Sequence, residues 1–408
     1  MTLIHTHTFD NGLTLLAQPM PGIASLAMTL LTPAGIAAEP ETQQGVSAML
    51  AEIICRGAGA RDAREHSHAL EALGVGRSTS NDMHHLRLSA ALIGSKRSDA
   101  LPLLMDMIRQ PAMDPEHLEP VRDLALQSLD ALADEPQQRA MLELRQCQYP
   151  CPFGRSPLGV REHIQGITLD DIKAFAQRHM VPRGSVLTFA GQLDWDDLKS
   201  QVEQLLGDWT GQVDEPTEQS PPPRGYTHLH ADSTQVHVGV AYDAVPQTSK
   251  DAVLQRAAAA VLSGGMSGRL FTEVREKRGL CYAVYAGYAG HRDRGAMLAY
   301  AGTSTPRAQE TLDVLTEELE RLSQGIEPDE FARAMVGMKS SLVMQGESSS
   351  ARAAALASDQ YILGRPRTLD ECADEVDAVT LERLNQFVAQ HPPRDMTIVT
   401  IGPESLNA

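Results

Sequence analysis

Residues 166–191 read GITLDDIKAFAQRHMVPRGSVLTFAG, and residues 378–402 read AVTLERLNQFVAQHPPRDMTIVTIG. Both carry a Thr-Leu pair near the start (Thr168-Leu169 and Thr380-Leu381), a phenylalanine at the same distance behind it (Phe175 and Phe387), and an apolar run that closes on glycine (Gly191 and Gly402). From Thr168 to Gly191 is 23 positions, and from Thr380 to Gly402 is 22. Apolar residues at helical spacing followed by a β-rich run predict a helix over 169–179 and a strand over 185–190. The parallel extends upstream, where Gly154-Arg155 answers Gly364-Arg365 and Met113-Asp114-Pro115-Glu116 answers Ile326-Glu327-Pro328-Asp329. One domain design is therefore used twice, with a period near half the chain rather than the ~20–50 residues of solenoid repeats.

Working outward, Asp10-Asn11-Gly12 is a hairpin turn between apolar-alternating runs, so the chain opens on strands, and 23–31 continues the sheet. Helical spacing predicts helices over 45–56, with Gly57 as the cap glycine, and over 64–73, 99–108 and 115–132; 86–92 reads as a strand. Residues 213–224, VDEPTEQSPPPR, are proline-rich and polar and predict an extended linker. It divides the chain into an N-terminal domain, 1–212, and a homologous C-terminal domain, 225–408. In the latter, strands are expected over 235–242, 280–288 and 296–301 and helices over 251–262 and 268–277, before a helix-rich tail. The class is α+β, two homologous domains in tandem.

The 408 residues, 42% hydrophobic and 22% charged, fit a soluble globular chain of two or three domains. A net charge of −18 argues against nucleic acid or an anionic membrane as partner. The stretch 23–38 is interrupted by Pro33 and Gly35 and is too short to span a bilayer. Cys55, Cys147, Cys151, Cys281 and Cys372 are odd in number and scattered, which reads as reduced thiols. The start shows no basic region followed by an apolar core, and the expected location is the cytoplasm.

Unaided motif search finds no self-contained active site. Gly264-Gly265-Met266-Ser267-Gly268 leads into Arg269-Leu270 rather than the Lys-Ser/Thr of a phosphate loop, and no Gly-x-Ser-x-Gly elbow is present. His66, His68, His84, His85, His228, His230 and His237 stand in no zinc spacing, and Cys147 and Cys151 lack a second ligand pair. His68-Ala69-Leu70-Glu71 begins like an inverted zincin motif, but Ala72 follows.

Asn11-Gly12-Leu13, Glu39, Gly45-Val46-Ser47-Ala48-Met49-Leu50-Ala51-Glu52, Gly57, Pro152-Phe153-Gly154 and Arg275-Glu276-Lys277-Arg278-Gly279-Leu280-Cys281-Tyr282, on a duplicated chain, together resemble the pitrilysin/insulinase-like zinc metallopeptidases. That family includes the mitochondrial processing peptidase and bacterial two-subunit peptidases. The resemblance covers essentially the whole chain and implies two domains, each a largely antiparallel sheet covered by helices, of the type that forms half of a clamshell. The family's His-x-x-Glu-His motif falls on the helix that begins at Gly45. It places Ala48 at the first zinc-binding His, Ala51 at the general-base Glu and Glu52 at the second His. The third ligand, a Glu, falls at Ser128, with Asp130 close by. Zinc hydrolysis needs about three protein ligands and a base, and this set supplies neither.

Arg275 and Tyr282 match the family's Arg-x6-Tyr pair. A guanidinium and a phenol are donors suited to a peptide carbonyl and to the oxyanion formed on attack. The resemblance thus implies a zinc-less subunit whose Arg275 and Tyr282 bind substrate and stabilise the transition state, with zinc held by a homologous partner in a heterodimer closed around an unstructured peptide. The chain itself is expected to bind no cofactor and to be inactive alone. Two alternatives follow: a catalytically inactive structural or peptide-binding scaffold, and a homodimeric zinc enzyme built on His66, His68 and Glu71.

Overall fold

The computed structural model describes residues 3–408. Its first half runs β1 (His5–Thr8), β2 (Thr14–Pro19), β3 (Ser25–Thr32), α1 (Val46–Ile53), α2 (Ala63–Ala72), β4 (Gly76–Asn81), β5 (Leu86–Ile93), α3 (Arg97–Arg109), α4 (Leu118–Ala131), α5 (Pro136–Gln148), α6 (Arg161–Gly166), α7 (Leu169–His179), β6 (Val186–Gly191) and α8 (Trp195–Leu206). The second half runs β7 (Tyr226–His230), β8 (Gln235–Ala244), α9 (Ala252–Ser263), a π-helical turn (Phe271–Glu276), β9 (Cys281–Gly290), β10 (Gly295–Ser304), α10 (Ala308–Arg321), α11 (Pro328–Glu347), α12 (Ser349–Leu363), α13 (Leu369–Asp377), α14 (Leu381–Gln390) and β11 (Thr397–Gly402).

The repeated Thr-Leu pair has a local cause. Thr168 and Thr380 are N-caps: Thr168 Oγ1 accepts the Asp171 N–H at 3.2 Å, and Thr380 Oγ1 accepts the Arg383 N–H at 3.2 Å. Such a cap stabilises a helix start by about 1 kcal/mol. Behind each cap the helix buries the same face, Ile172 and Phe175 in α7 and Leu384 and Phe387 in α14. Each phenylalanine also packs on a histidine one turn later, at 4.6 Å (His179) and 4.4 Å (His391) between ring centres. The strands that follow end on glycine because space runs out. A Cβ on Gly191 would meet the Ser25 carbonyl at 2.2 Å, and one on Gly402 would meet Val236 at 2.8 Å.

Sheet topology repeats in the same way. The first sheet has six strands in the order β1-β2-β6-β3-β5-β4, and the second has five in the order β7-β11-β8-β10-β9. In each, the last strand of the half inserts parallel to one neighbour (β2 or β7) and antiparallel to the other (β3 or β8). All other pairings are antiparallel. The fold is thus α+β with two largely antiparallel sheets, and β4 and β9 are equivalent edge strands.

The compact units differ from the sequence halves by an exchange. Residues 132–154 belong with the second sheet and residues 345–368 with the first. Beneath the first sheet, Ala357 of α12 packs against Leu16, Leu31 and Val186, and Ala353 against Ala27 and Ala190. Arg352, 2% exposed, donates twice to Gln18 Oε1 (3.0 and 2.7 Å). Reciprocally, Gln148 of α5 joins the second sheet, accepting from Thr397 Oγ1 at 2.7 Å and donating to Asp243 at 2.8 Å. A division at 213–224 therefore describes the sheets but not these two helices. Their apolar stripes specify a sheet face, and both sheets offer one of the same design.

Candidate functional site

The first candidate region is the entry to α1. Gly45 takes φ = 111°, a conformation open to glycine, and turns the chain into the helix. Glu39 caps that turn. Its Oε2 accepts the Gly45 N–H at 3.1 Å, and its Oε1 accepts the Ser47 N–H at 2.9 Å and the Ser47 hydroxyl at 2.6 Å. Burial pushes the Glu39 carboxyl above the usual range, opposed by these bonds and by the Arg155 charge. Asn81, at the end of β4, donates to Ser47 Oγ at 2.9 Å and ties the helix start to the edge strand. Glu39→Ala is expected to cost about 2 kcal/mol through the lost cap and orphaned donors. Urea denaturation of the pure chain would measure it, and a loss under ~0.5 kcal/mol would show that α1 does not depend on this residue.

The structure makes α1 shorter than the 45–56 expected, ending at Ile53. Along it, Ala51 is buried, and Glu52 is half-buried with its carboxylate paired at 2.6 Å with Arg56, one turn on. Ser128, on α4, is exposed and donates back to the Leu124 carbonyl at 2.9 Å. Asp130, the carboxylate close by, is paired with Arg161. Two methyl groups, a committed carboxylate and a committed hydroxyl do not fit zinc, so the donor set of this helix pair cannot hold the family's metal. His66, His68 and Glu71 do not converge either. On α2, His66 faces the core, its Nε2 3.0 Å from the Leu103 carbonyl and its pKa held down by burial, whereas His68 and Glu71 are exposed. Residues two apart on a helix point to different sides. Among the described residues no group of three or more His, Cys, Asp or Glu is placed to hold a metal ion.

The second candidate region is the corner that enters β9. The helix expected over 268–277 widens into a π-turn, in which the Lys277 N–H reaches back five residues to the Thr272 carbonyl at 3.0 Å. Such widened turns recur at functional sites. Gly279, at φ = 60°, ends it, with its N–H on the Arg275 carbonyl at 2.9 Å and the Leu280 N–H on the Val274 carbonyl at 3.1 Å. The charged run divides by partner. Lys277 and Arg278 both bind Glu273, at 2.7 and 3.2 Å, and the Lys277 bond is the largest of the effects that hold that carboxyl below its usual range. Arg275 has no carboxylate partner among the described residues; it is exposed and rests its guanidinium 4.7 Å from the centre of the Phe271 ring. Its charge also reaches Cys281, whose thiol burial pushes up to about 11.

Tyr282 follows at the start of β9. Cys281 pairs with Thr303 and Ala283 with Gly302, which leaves Tyr282 as the extra residue of a β-bulge. The bulge re-aims its ring away from the core that receives Cys281. Tyr282 remains 47% exposed, with its hydroxyl donating to Gln235 Oε1 at 2.8 Å. Farther along this edge strand, Tyr285, Gly287 and Tyr288 line a groove of about 550 Å³ with Met141 and Arg145 of α5. Gln235 was not found from sequence, because the contact spans 47 residues and β8 carries no motif at that position.

The chain matches two family models. One is described as insulinase (peptidase family M16) and covers residues 17–151; the other is described as the peptidase M16 inactive domain and covers residues 166–337. The chain belongs to the insulinase (M16) peptidase family. Ala48, Ala51, Glu52 and Ser128 lie in the part matched by the first, and Arg275 and Tyr282 in the part matched by the second. Relatives include an uncharacterized zinc protease of Bacillus subtilis, 24% identical over 98% of this chain and 98% of its own length. Another, of Streptomyces coelicolor, is 24% identical over 97% and 89%. The fold is shared with a peptidase M16 inactive domain from Pseudomonas fluorescens (TM-score 0.88, 21% identity, 100% and 99% coverage). It is also shared with a protease from Helicobacter pylori (TM-score 0.85, 20% identity, 99% and 100%). As an M16 peptidase-like protein the chain has the family's paired domains, and none of its described helices is long and apolar enough to cross a membrane.

Proposed function

We propose that this chain is the zinc-less subunit of a two-chain M16 peptidase, in which Arg275 and Tyr282 serve a zinc site carried by a homologous partner. The observation that carries this reading is an asymmetry of condition between two sites. At α1 every zinc position is either a methyl group or a side chain already bonded to a neighbour. At the entry to β9, Arg275 keeps an uncommitted guanidinium and Tyr282 an exposed phenol. The guanidinium offers several N–H donors and a full positive charge, and the phenol offers one O–H. Directed at the same peptide carbonyl, they orient it and stabilise the negative charge that gathers on its oxygen during attack. The strongly negative net charge favours basic, unstructured peptides as substrates.

The test is hydrolysis of an unstructured basic peptide by this chain, by a homologue that carries the intact His-x-x-Glu-His motif, and by their mixture. Activity confined to the mixture is the expected result. A mixture no faster than the homologue alone would replace this reading with that of a structural or peptide-binding scaffold. Zinc-dependent activity of this chain alone would overturn both.

A further inference from the structure

Between Arg275 and Tyr282, the carbonyls of Gly279 and Leu280 follow the π-turn and precede β9. Both are held by side chains from a single stretch, the one that leads from β10 into α10. Arg307, exposed just before α10, donates from Nη1 to the Gly279 carbonyl. Thr303, near the end of β10, donates from Oγ1 to the Leu280 carbonyl at 2.5 Å. Thr311, in the first turn of α10, places its Oγ1 3.1 Å from Thr303 Oγ1, 3.4 Å from the Leu280 carbonyl and 2.8 Å from the Arg307 carbonyl. Thr303 is 1% exposed and Thr311 0%, so both hydroxyls are committed away from solvent. The front of the segment is tied to the far end of the same helix. Glu273 lies 3.9 Å from the Arg321 guanidinium, and Arg321 is held at 3.1 Å by Glu318, itself 1% exposed. Positions 307, 311, 318 and 321 fall on one face of a helix, which runs along the Arg275 turn as a polar rail.

The bulge gives these bonds their consequence. Thr303 is the residue that pairs with Cys281 where the register shifts, so one residue both closes the bulge and, through its hydroxyl, fixes the peptide plane that enters it. Leu280 and Cys281 are anchored in the core on either side of that plane, and its direction sets where the chain leaves for Tyr282. A rotation of the plane would carry the Tyr282 ring with it. On the other side of the turn, the Arg275 carbonyl accepts the Gly279 N–H at 2.9 Å, so the peptide whose oxygen Arg307 holds is joined to Arg275 as well. Removing a donor from a buried carbonyl leaves it with its full desolvation cost, which is why a hydroxyl at this place resists rearrangement.

We propose that Thr303 and Arg307 are positioning residues for the Arg275–Tyr282 pair, which keep the two donors at a fixed separation and direction by clamping the Leu280 and Gly279 carbonyls between them. Thr311 backs the clamp from the interior. The gain is preorganisation: donors to a developing oxyanion act fully when nothing has to be reoriented at the moment of reaction, and a displacement of about 1 Å is enough to cost up to about 10²-fold in rate. This inference rests on the complementing-subunit reading.

The kinetics of the peptidase mixture test it. Thr303→Val keeps the volume and branching of the side chain and removes the hydroxyl; it is expected to lower kcat roughly tenfold with KM little changed. Thr303→Ser, which keeps the donor, is expected to retain kcat within about 2-fold. In a Tyr282→Phe background Thr303→Val is expected to have little further effect, because the hydroxyl it would misplace is already gone. A Thr303 that served folding alone would lower the folded fraction and leave kcat per folded chain unchanged. Arg307→Gln, a change at the exposed surface, is expected to lower kcat by roughly threefold to tenfold, and it decides the matter if Thr303→Val does not fold. An unchanged kcat in either folded variant, a Thr303→Ser as slow as Thr303→Val, or losses at Thr303 and Tyr282 that multiply would overturn this inference and leave the subunit reading standing. A mixture of the unsubstituted chains that never cleaves would overturn the subunit reading, and with it the catalytic use of this clamp.

Discussion

Replacing Arg275 by alanine is expected to lower kcat of the two-chain peptidase by about 10²–10³, the range found when a preorganised donor to a developing oxyanion is removed. Tyr282→Phe deletes one hydroxyl and is expected to fall at the lower end of that range. Both side chains are exposed, so neither change removes buried apolar area, and each should cost the chain no more than about 1 kcal/mol of stability in urea denaturation. Phe271 loses a cation above its ring in Arg275→Ala, an interaction of about 0.5–1 kcal/mol at an exposed site. Lys277 and Arg278 serve as internal controls, because their charges are already spent on Glu273. Lys277→Ala is expected to alter activity less than ~3-fold, in keeping with the small worth of a surface pair. Equal losses at Arg275 and Lys277 would mean that positive charge in general, and not one guanidinium, supports cleavage.

The quadruple change Ala48→His, Ala51→Glu, Glu52→His and Ser128→Glu is expected to raise the zinc content from an expected zero to about one per chain, the open three-ligand arrangement of catalytic sites. Positions 48 and 52 are four apart on α1 and share one face. α1 and α4 belong to the same hydrophobic core, through Val46, Met49, Leu50 and Ile53 on one and Val121 on the other. Backbone support for the site is thus in place, including the Glu39 cap and the Asn81 tie to β4. Arg56 loses its carboxylate partner in this variant, and an added Arg56→Gln guards against repulsion of the metal. Metal analysis after dialysis decides the outcome. Failure to bind zinc in both versions would show that the helix pair has drifted from the family's geometry as well as from its residues.

The duplicated Thr-Leu segments were legible because each step is local. A threonine caps its own helix, the phenylalanine lies on that helix's buried face, and the closing glycine fits where a neighbouring strand leaves no room. Helix α2 shows the limit of that kind of reading. The sequence supplied two histidines and a glutamate within six positions, and the helical turn sent one inward and two outward. Strand β4 was missed altogether, since Gly76–Asn81 is GRSTSN, with no apolar alternation to mark it. It forms because β5 offers an unpaired edge. The π-turn at Phe271–Glu276 is indistinguishable from an ordinary helix in sequence, because one inserted residue in a hydrogen-bond ladder leaves the apolar spacing almost unchanged.

The sequence by itself determined the α+β class, the duplication and the want of a metal donor at Ala48 and Ala51, since alanine's side chain has no lone pair and no packing can provide one. Only the tertiary structure decided that α5 and α12 change sheets, because an apolar stripe specifies a kind of surface and not which of two similar surfaces it meets. Only it could bring Gln235 of β8 to the Tyr282 hydroxyl. Three strands far apart in the chain had to pair in one register, with a bulge at one residue, before their side chains shared a face. Local residues thus settled what chemistry is possible at each position, and strand pairing settled which positions can act together.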